Sequence, residues 1–191
     1  MRIRERYADN NTFICSYIGT IGMAHGLDVV LRAARQIQTD VLFLIVGDGA
    51  CKEMLEAEAS GLRNIRFTGL LPKNEIPAII AASDASLIHL KKSKLFATVI
   101  PSKMFELMAM EVPVIIGVEG EARNIVLEAQ AGETMEPENE RELINAISRI
   151  KTNGRDFYHG RGFIAKNFSR DKLALDMLNI IISTGSRSQA S

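Results

Sequence analysis

Residues 100–115, IPSKMFELMAMEVPVI, hold a helix start, a short amphipathic helix and the beginning of a buried strand. Pro101 and Ser102 suit the first positions of a helix, where a proline forfeits no internal bond and a serine oxygen can accept from a free amide. The run LMAM carries the helix inward, and Val112-Pro113 turns the chain into the apolar run VPVII. A helix that feeds straight into a fully apolar strand is half of a parallel βαβ unit. Working outward, the same alternation recurs. Strands are predicted at 13–18, 41–46, 64–68, 85–90, 113–118 and 133–135, and helices at 27–38, 51–60, 73–82, 102–110, 122–130 and 140–150. Gly, Pro or Asn marks most joints. The pattern predicts an α/β fold, a doubly wound parallel sheet with helices on both faces, whose ligand loops lie beyond the C-terminal strand ends. Those loops are 19–26, 47–49, 68–72, 89–101 and 117–122.

The ends of the chain read differently. Residues 1–11 are charged, finish in a turn-like DNN and resemble a linker, whereas 12–153 hold the whole alternating pattern. Residues 154–183 read as helix only, with stretches over 156–168 and 169–182 that Ser169 can cap, and 184–191 have the composition of a disordered tail.

Composition narrows the function. At 191 residues and 47% hydrophobic, the chain supports one well-buried domain. Acidic and basic residues balance at 23 each, so no overall field draws it to nucleic acid or an anionic membrane, and an electropositive site must be local. The one dense basic run is Lys91-Lys92-Ser93-Lys94. Cys15 and Cys51 lack metal-ligand spacing and read as small residues in a reducing compartment. No apolar stretch approaches the roughly 20 residues that cross a bilayer, and MRIRERY is not followed by a signal-peptide core, so a cytoplasmic location is expected.

Two stretches carry candidate chemistry. Lys103 and Glu106 share one face of the helix that Ser102 opens. A capping box from Ser102 needs Glu or Gln at position 105, and that residue is Phe105, so Glu106 is not explained as a cap. An acidic first turn that complements the helix dipole, with lysine as an ordinary surface partner, is the plain alternative. In the other reading free helix amides hold an anion while the carboxylate accepts from hydroxyls, an arrangement suited to a phosphorylated sugar or nucleoside. The loop GTIGMAHGLD sets Gly19, Gly22 and Gly26 between strand and helix, where bare backbone can approach a phosphate. It matches neither GxGxxG nor GxxxxGK[ST], which disfavours a nicotinamide enzyme or a P-loop ATPase. His25 can donate to a phosphate there, and His89 is a weaker candidate beside Lys91.

The order GTIG, HGLD, LIVGDG, IRFTGLLP, IIAASDASLIHL and PSKMFELMAMEVPVI resembles the C-terminal domain of group 1 glycosyltransferases of the GT-B fold, over residues 13–182. GTIGMAHGL with PSKMFE is most similar to bacterial fucosamine-type (aminodeoxyhexose) transferases that build O-antigen and capsule repeat units. The resemblance implies a Rossmann-like domain that holds a nucleoside diphosphate-sugar donor, a UDP-sugar first among them, in a retaining transfer without a cofactor or a metal. It implies that Glu106 binds the donor ribose, that Gly19 to Gly22 face the diphosphate, and that Gly69 and Leu70, within residues 65–71, lie near the base. Thr20 and His25 stand where the family pattern has an arginine and a lysine, and Thr98 stands where its first glutamate falls. Lys103, with Lys91, Lys92 or Lys94, is then the replacement charge. The acceptor, a lipid-linked saccharide, falls to a domain preceding Met1, which leaves no catalytic residue to assign and makes the chain alone inactive. The intact enzyme is placed peripherally at the inner membrane. A nucleotide-sugar 2-epimerase of the same architecture and a non-catalytic nucleotide-binding module are the alternatives.

Overall fold

The computed structural model describes residues 3–9, 11–37 and 40–188. Six strands, β1 (Phe13–Ile18), β2 (Val41–Val46), β3 (Ile65–Gly69), β4 (Ala85–His89), β5 (Val114–Gly117) and β6 (Gly132–Thr134), form one sheet in the order β3-β2-β1-β4-β5-β6. Every neighbouring pair is parallel. β1 and β2 run side by side from Phe13 opposite Val41 to Ile18 opposite Val46, and every residue of both is buried. That is why these strands read as continuous apolar runs rather than as alternating ones.

Successive side chains feed opposite cores. Cys15, Tyr17, Phe43, Ile45, Leu87 and Ile115 pack beneath α1 (Asp28–Gln36), α2 (Lys52–Glu58) and α6 (Glu140–Asn153). Ile14, Ile18, Leu44, Val46, Ile88 and Ile116 pack beneath α3 (Ile76–Ala82), α4 (Lys103–Ala109) and α5 (Glu121–Glu128). Cys15 belongs to the first core, and burial pushes its thiol up to about 12. α4 is too short to persist on its own. Met104, Leu107 and Met108, all fully buried, hold it on the sheet at roughly 1.5–3 kcal/mol each. From β1 the chain winds outward through β2 and β3, then crosses to β4 and winds the other way, so a crevice opens where β1 and β4 end.

Several boundaries differ from the pattern, each for a local reason. The first helix stops at Gln36 because Ile37 is extended; Gln38, the expected end, lies outside the described residues. The third begins at Ile76, after a turn in which the Glu75 amide donates to the Pro72 carbonyl. The single helix expected over 156–168 is a 3-10 turn at Arg155–Phe157 followed by α7 (Arg161–Asn167). Tyr158 breaks it: the residue is extended and buried, and its hydroxyl donates to Glu133 Oε1 at 2.7 Å. α8 (Arg170–Ser188) runs past residue 184, where loss of order was expected, while Gln189 to Ser191 lie outside the described residues.

The N-terminal stretch, expected to be a linker, lies against the domain. Its Ile3–Arg6 turn brings the Arg4 guanidinium to the carbonyls of Thr12 and Ala82 and to Asp84 at 2.9 Å, while Asp84 also accepts from the Ile14 amide. Met1, Arg2 and Asn10 lie outside the described residues. At the other end Leu173, Met177, Leu178, Ile180 and Ile181 of α8 are all about half exposed.

One guanidinium ties two helix ends together. Arg155 donates to the Ala81 and Ser83 carbonyls at the end of α3 and to the Met110 and Glu111 carbonyls at the end of α4. Helix C-termini leave these oxygens without internal donors. Arg155→Ala is expected to lower the unfolding free energy by about 1–3 kcal/mol, read from urea denaturation. A midpoint equal to wild type would remove the staple from the account of stability.

Candidate functional site

The crevice is built first from backbone. Beyond β1, the Gly19 amide donates to the Val46 carbonyl at 2.9 Å, the Ile21 amide to Asp48 O at 2.8 Å and the Cys51 amide to Ile21 O at 2.9 Å. Two loops are thereby laced edge to edge, and two glycines permit it. A Cβ at Gly47 would stand 1.9 Å from the Gly19 carbonyl oxygen and one at Gly49 2.5 Å from that of Ile21, both residues having positive φ. The Tyr17 hydroxyl donates to the Thr20 carbonyl at 2.7 Å from below. The loop at 19–21 is thereby held by its main chain, with Thr20 exposed.

Across from it, Val99, Pro101, Ser102 and Lys103 lead into α4 and close a crevice of about 310 Å³ whose floor is the ends of β1 and β4. Gly19, Thr20, His25, His89 and Lys103, five of the residues singled out in the sequence, line it together. A second groove of about 600 Å³ lies between α3 and α4, lined by Lys73, Ile76, Pro77, Lys103, Glu106 and Met110 among others. Both volumes fall in the range of small-molecule sites, roughly 300–1,000 Å³. Lys103 lines both. Its ammonium reaches Glu106 Oε2 at 2.8 Å, with the carboxylate more than half exposed. The Ser102 side chain makes no capping bond, so Glu106 stands outside a capping box here as in the sequence pattern.

The remaining candidates sit elsewhere. Gly22 lines a small apolar pocket with Met23, Cys51 and Met54. The Lys92 ammonium pairs with Glu136 and lies 3.8 Å from Glu119, and its amide donates to Glu138 Oε2, which commits it to the β6 side. The Thr98 hydroxyl donates to the Leu95 carbonyl at 2.8 Å. Gly69 closes β3, its carbonyl accepting from the Gly47 amide, and Leu70 beside it is exposed. Tyr17 and Ser102 line the crevice without having been singled out; Tyr17 sits inside an apolar strand run, where nothing in the pattern separates it from core.

The two histidines have opposite surroundings. His89 is 1% exposed, its Nδ1 2.6 Å from the His25 carbonyl and its Nε2 accepting from the Glu138 amide at 2.8 Å. The His25 ring is half-buried in the crevice, and its Nδ1 is shielded from solvent with no hydrogen-bond partner among the described residues. Burial holds both imidazoles below their ordinary 6.5, with the His25 carbonyl opposing the shift at His89.

A doubly wound sheet with a glycine loop, a hydroxyl residue, an imidazole and a lysine at its switch-point crevice defines a class of small-ligand-binding α/β proteins. The chain belongs to the group 1 glycosyl transferases, whose family model matches residues 12–153. It is 36% identical over 104 residues to a protein of Escherichia coli K12 designated a colanic acid biosynthesis glycosyl transferase, WcaI, covering 53% of this chain and 25% of that one. Alpha-D-kanosaminyltransferase of Streptomyces kanamyceticus is 25% identical over 154 residues, 78% of this chain and 39% of that one. Among solved structures, Anabaena HepE in complex with UDP-glucose superposes with a TM-score of 0.76 at 19% identity, covering 91% of this chain and 49% of HepE. The C-terminal domain of a group 1 family protein from Francisella tularensis gives 0.68 at 20% identity, covering 89% of this chain and 94% of that domain. The chain thus spans only a quarter to two-fifths of these curated relatives. Among the described residues no helix is long and apolar enough to cross a membrane.

The imidazole environments set a pH dependence. A histidine whose folded-state value lies below 6.5 stabilises the fold fully above pH 6.5 and loses the contribution as pH falls from there toward the folded-state value. The unfolding free energy is expected to be level above pH 7 and to decline from about pH 6.5 downward, before the carboxylates protonate. Urea denaturation at half-unit steps reads this. A flat profile between pH 5 and 7 would place both rings in solvent-like surroundings.

Proposed function

We propose that this chain is the donor-binding half of a retaining glycosyltransferase that acts in bacterial surface polysaccharide synthesis, with a UDP-sugar as the donor. The observation that carries the reading is the meeting of Gly19, Thr20, His25 and Lys103 in one crevice at the end of β1 and β4, with Glu106 in the adjoining groove. Family membership sets the reaction class, the WcaI likeness supports the polysaccharide role, and the HepE complex supports a UDP-sugar.

In this reading the diphosphate occupies the crevice and the nucleoside occupies the groove. Lys103, on the wall between them, keeps Glu106 on one side while its other N–H groups meet phosphate oxygens, since an ammonium has three donors. Glu106 accepts from the ribose hydroxyls. His25 and Thr20 donate at the crevice wall, where an arginine–lysine clamp is replaced by weaker groups. A leaving nucleoside diphosphate is stabilised by these donors as its charge grows, which needs no acid–base pair within this half. Lys92, Thr98, Gly22, Gly69 and Leu70 stand back from the crevice, and no donor contact is proposed for them. The half-exposed apolar residues of α8 are given to the second half of the enzyme, which binds a lipid-linked acceptor at the membrane surface.

Glu106→Gln and Glu106→Ala are expected to weaken UDP binding about tenfold or more, because each charge-assisted bond lost is worth roughly 1.5–3 kcal/mol. The melting temperature should barely move, since the Lys103 pair is an exposed one. Titration with UDP and 2′-deoxy-UDP decides it: an unaltered preference for ribose in the variants makes the carboxylate structural.

Lys103→Ala should cost UDP far more affinity than it costs uridine, as phosphate is the proposed partner. Equal losses for both ligands would return Lys103 to surface duty. The chain by itself is expected to bind UDP and to transfer no sugar from UDP-glucose, and measurable transfer would contradict the division of labour.

A further inference from the structure

We propose that His89 is a positioning residue of the donor crevice: as a neutral imidazole protonated on Nδ1, it joins the His25 carbonyl to the Glu138 amide and so fixes the turn that presents His25. The inference rests on the donor reading given above. It starts from a forced assignment. The Glu138 backbone nitrogen, 2.8 Å from Nε2, can only donate, so Nε2 carries the lone pair and the proton lies on Nδ1. Nδ1 in turn faces the His25 carbonyl at 2.6 Å, which can only accept. Both ring nitrogens are therefore spoken for by backbone groups of opposite character.

The surroundings are shaped to this one side chain. A Cβ at Gly117 would stand 2.5 Å from the imidazole Cδ2 and one at Gly26 3.2 Å from Cε1, so the ring fills a slot between two glycines. On its far side Glu138 holds a left-handed φ of 62°. Glu138 is fixed through its three polar groups: the amide on His89, the carbonyl under Arg32 at 2.7 Å and the carboxylate under the Lys92 amide at 2.9 Å. A strained residue gripped in this way is a stable post. From that post the imidazole reaches across the ends of β4 and β5 to the 3-10 turn at Met23–His25, which the Lys91 amide also holds through Ala24 O at 2.9 Å.

The consequence concerns ligand binding more than packing. A leucine at position 89 would fill the slot but leave the His25 carbonyl and the Glu138 amide without partners in a buried place. The turn would then relax toward solvent, taking His25 out of the crevice wall.

The experiment uses the chain as it stands, with UDP as the probe. Nitrogen-15 NMR of the imidazoles at pH 7.5 should find His89 protonated on Nδ1 alone. His89→Leu should lower UDP affinity about tenfold, with the amide signals of Gly22 to Gly26 displaced. His89→Gln, which offers one donor and one acceptor, should recover affinity to within about threefold of wild type. The proposal is overturned by an Nε2-protonated ring, by a folded leucine variant that binds UDP as wild type does, or by a glutamine variant that recovers nothing. If the leucine variant does not fold, the glutamine variant and the ring protonation decide. Wild type that fails to bind UDP with the Nδ1 proton in place overturns the donor reading itself, and the role assigned to His89 falls with it.

Discussion

The rest of this molecule depends on the reversal of strand order between β1 and β4. Two parallel neighbours whose following connections leave in opposite directions cannot both be roofed by their own helices, and the gap between those departures is a concave place at the C-terminal edge of the sheet. The fully buried, fully registered β1–β2 pair fixes one wall and the short α4, pinned by Met104, Leu107 and Met108, fixes the other. Polar groups that would be scattered along a chain are gathered there. Residues 19 and 103 come into one crevice because the sheet puts the ends of two adjacent strands together.

Among the described residues the side chains of the buried polar residues Ser16, Asn64, Ser83, Ser86 and His89 are all hydrogen-bonded. Ser16 and Ser86 pair across β1 and β4 at 3.1 Å, and Asn64 donates to the Ala34 and Ile37 carbonyls. His89 belongs to the same set, as a bridge between loops.

The sheet was legible because each strand is a continuous apolar run bounded by turn residues, a pattern that survives any uncertainty at the ends. Helix ends were less so. Tyr158 shows why: its pull into the core and its bond to Glu133 decide the break after Phe157, and Glu133 is remote in sequence. The Arg4 and Arg155 anchors carry no sequence signal for the same reason, since each meets carbonyls tens of residues away. At the site, Gly19, Thr20, His25 and Lys103 were read together with Lys92 and Thr98, yet spacing could not tell a lysine aimed at the crevice from one aimed at Glu136. Neighbours in sequence carry no sign of the contact between His89 Nδ1 and the His25 carbonyl, which only the fold creates.

The lacing of the 19–21 loop onto the 47–51 turn is made wholly of main-chain atoms and two bare α-carbons. Side chains at 20 and 25 contribute none of those three amide bonds, so they are replaceable without asking the fold for permission. Such a separation gives natural variation a cheap coordinate along which to move: donors of different charge and reach can be exchanged at the rim while the path of the loop is inherited unchanged. Diversification of ligand preference in a scaffold of this kind is then a matter of trimming, with the architecture as a fixed inheritance.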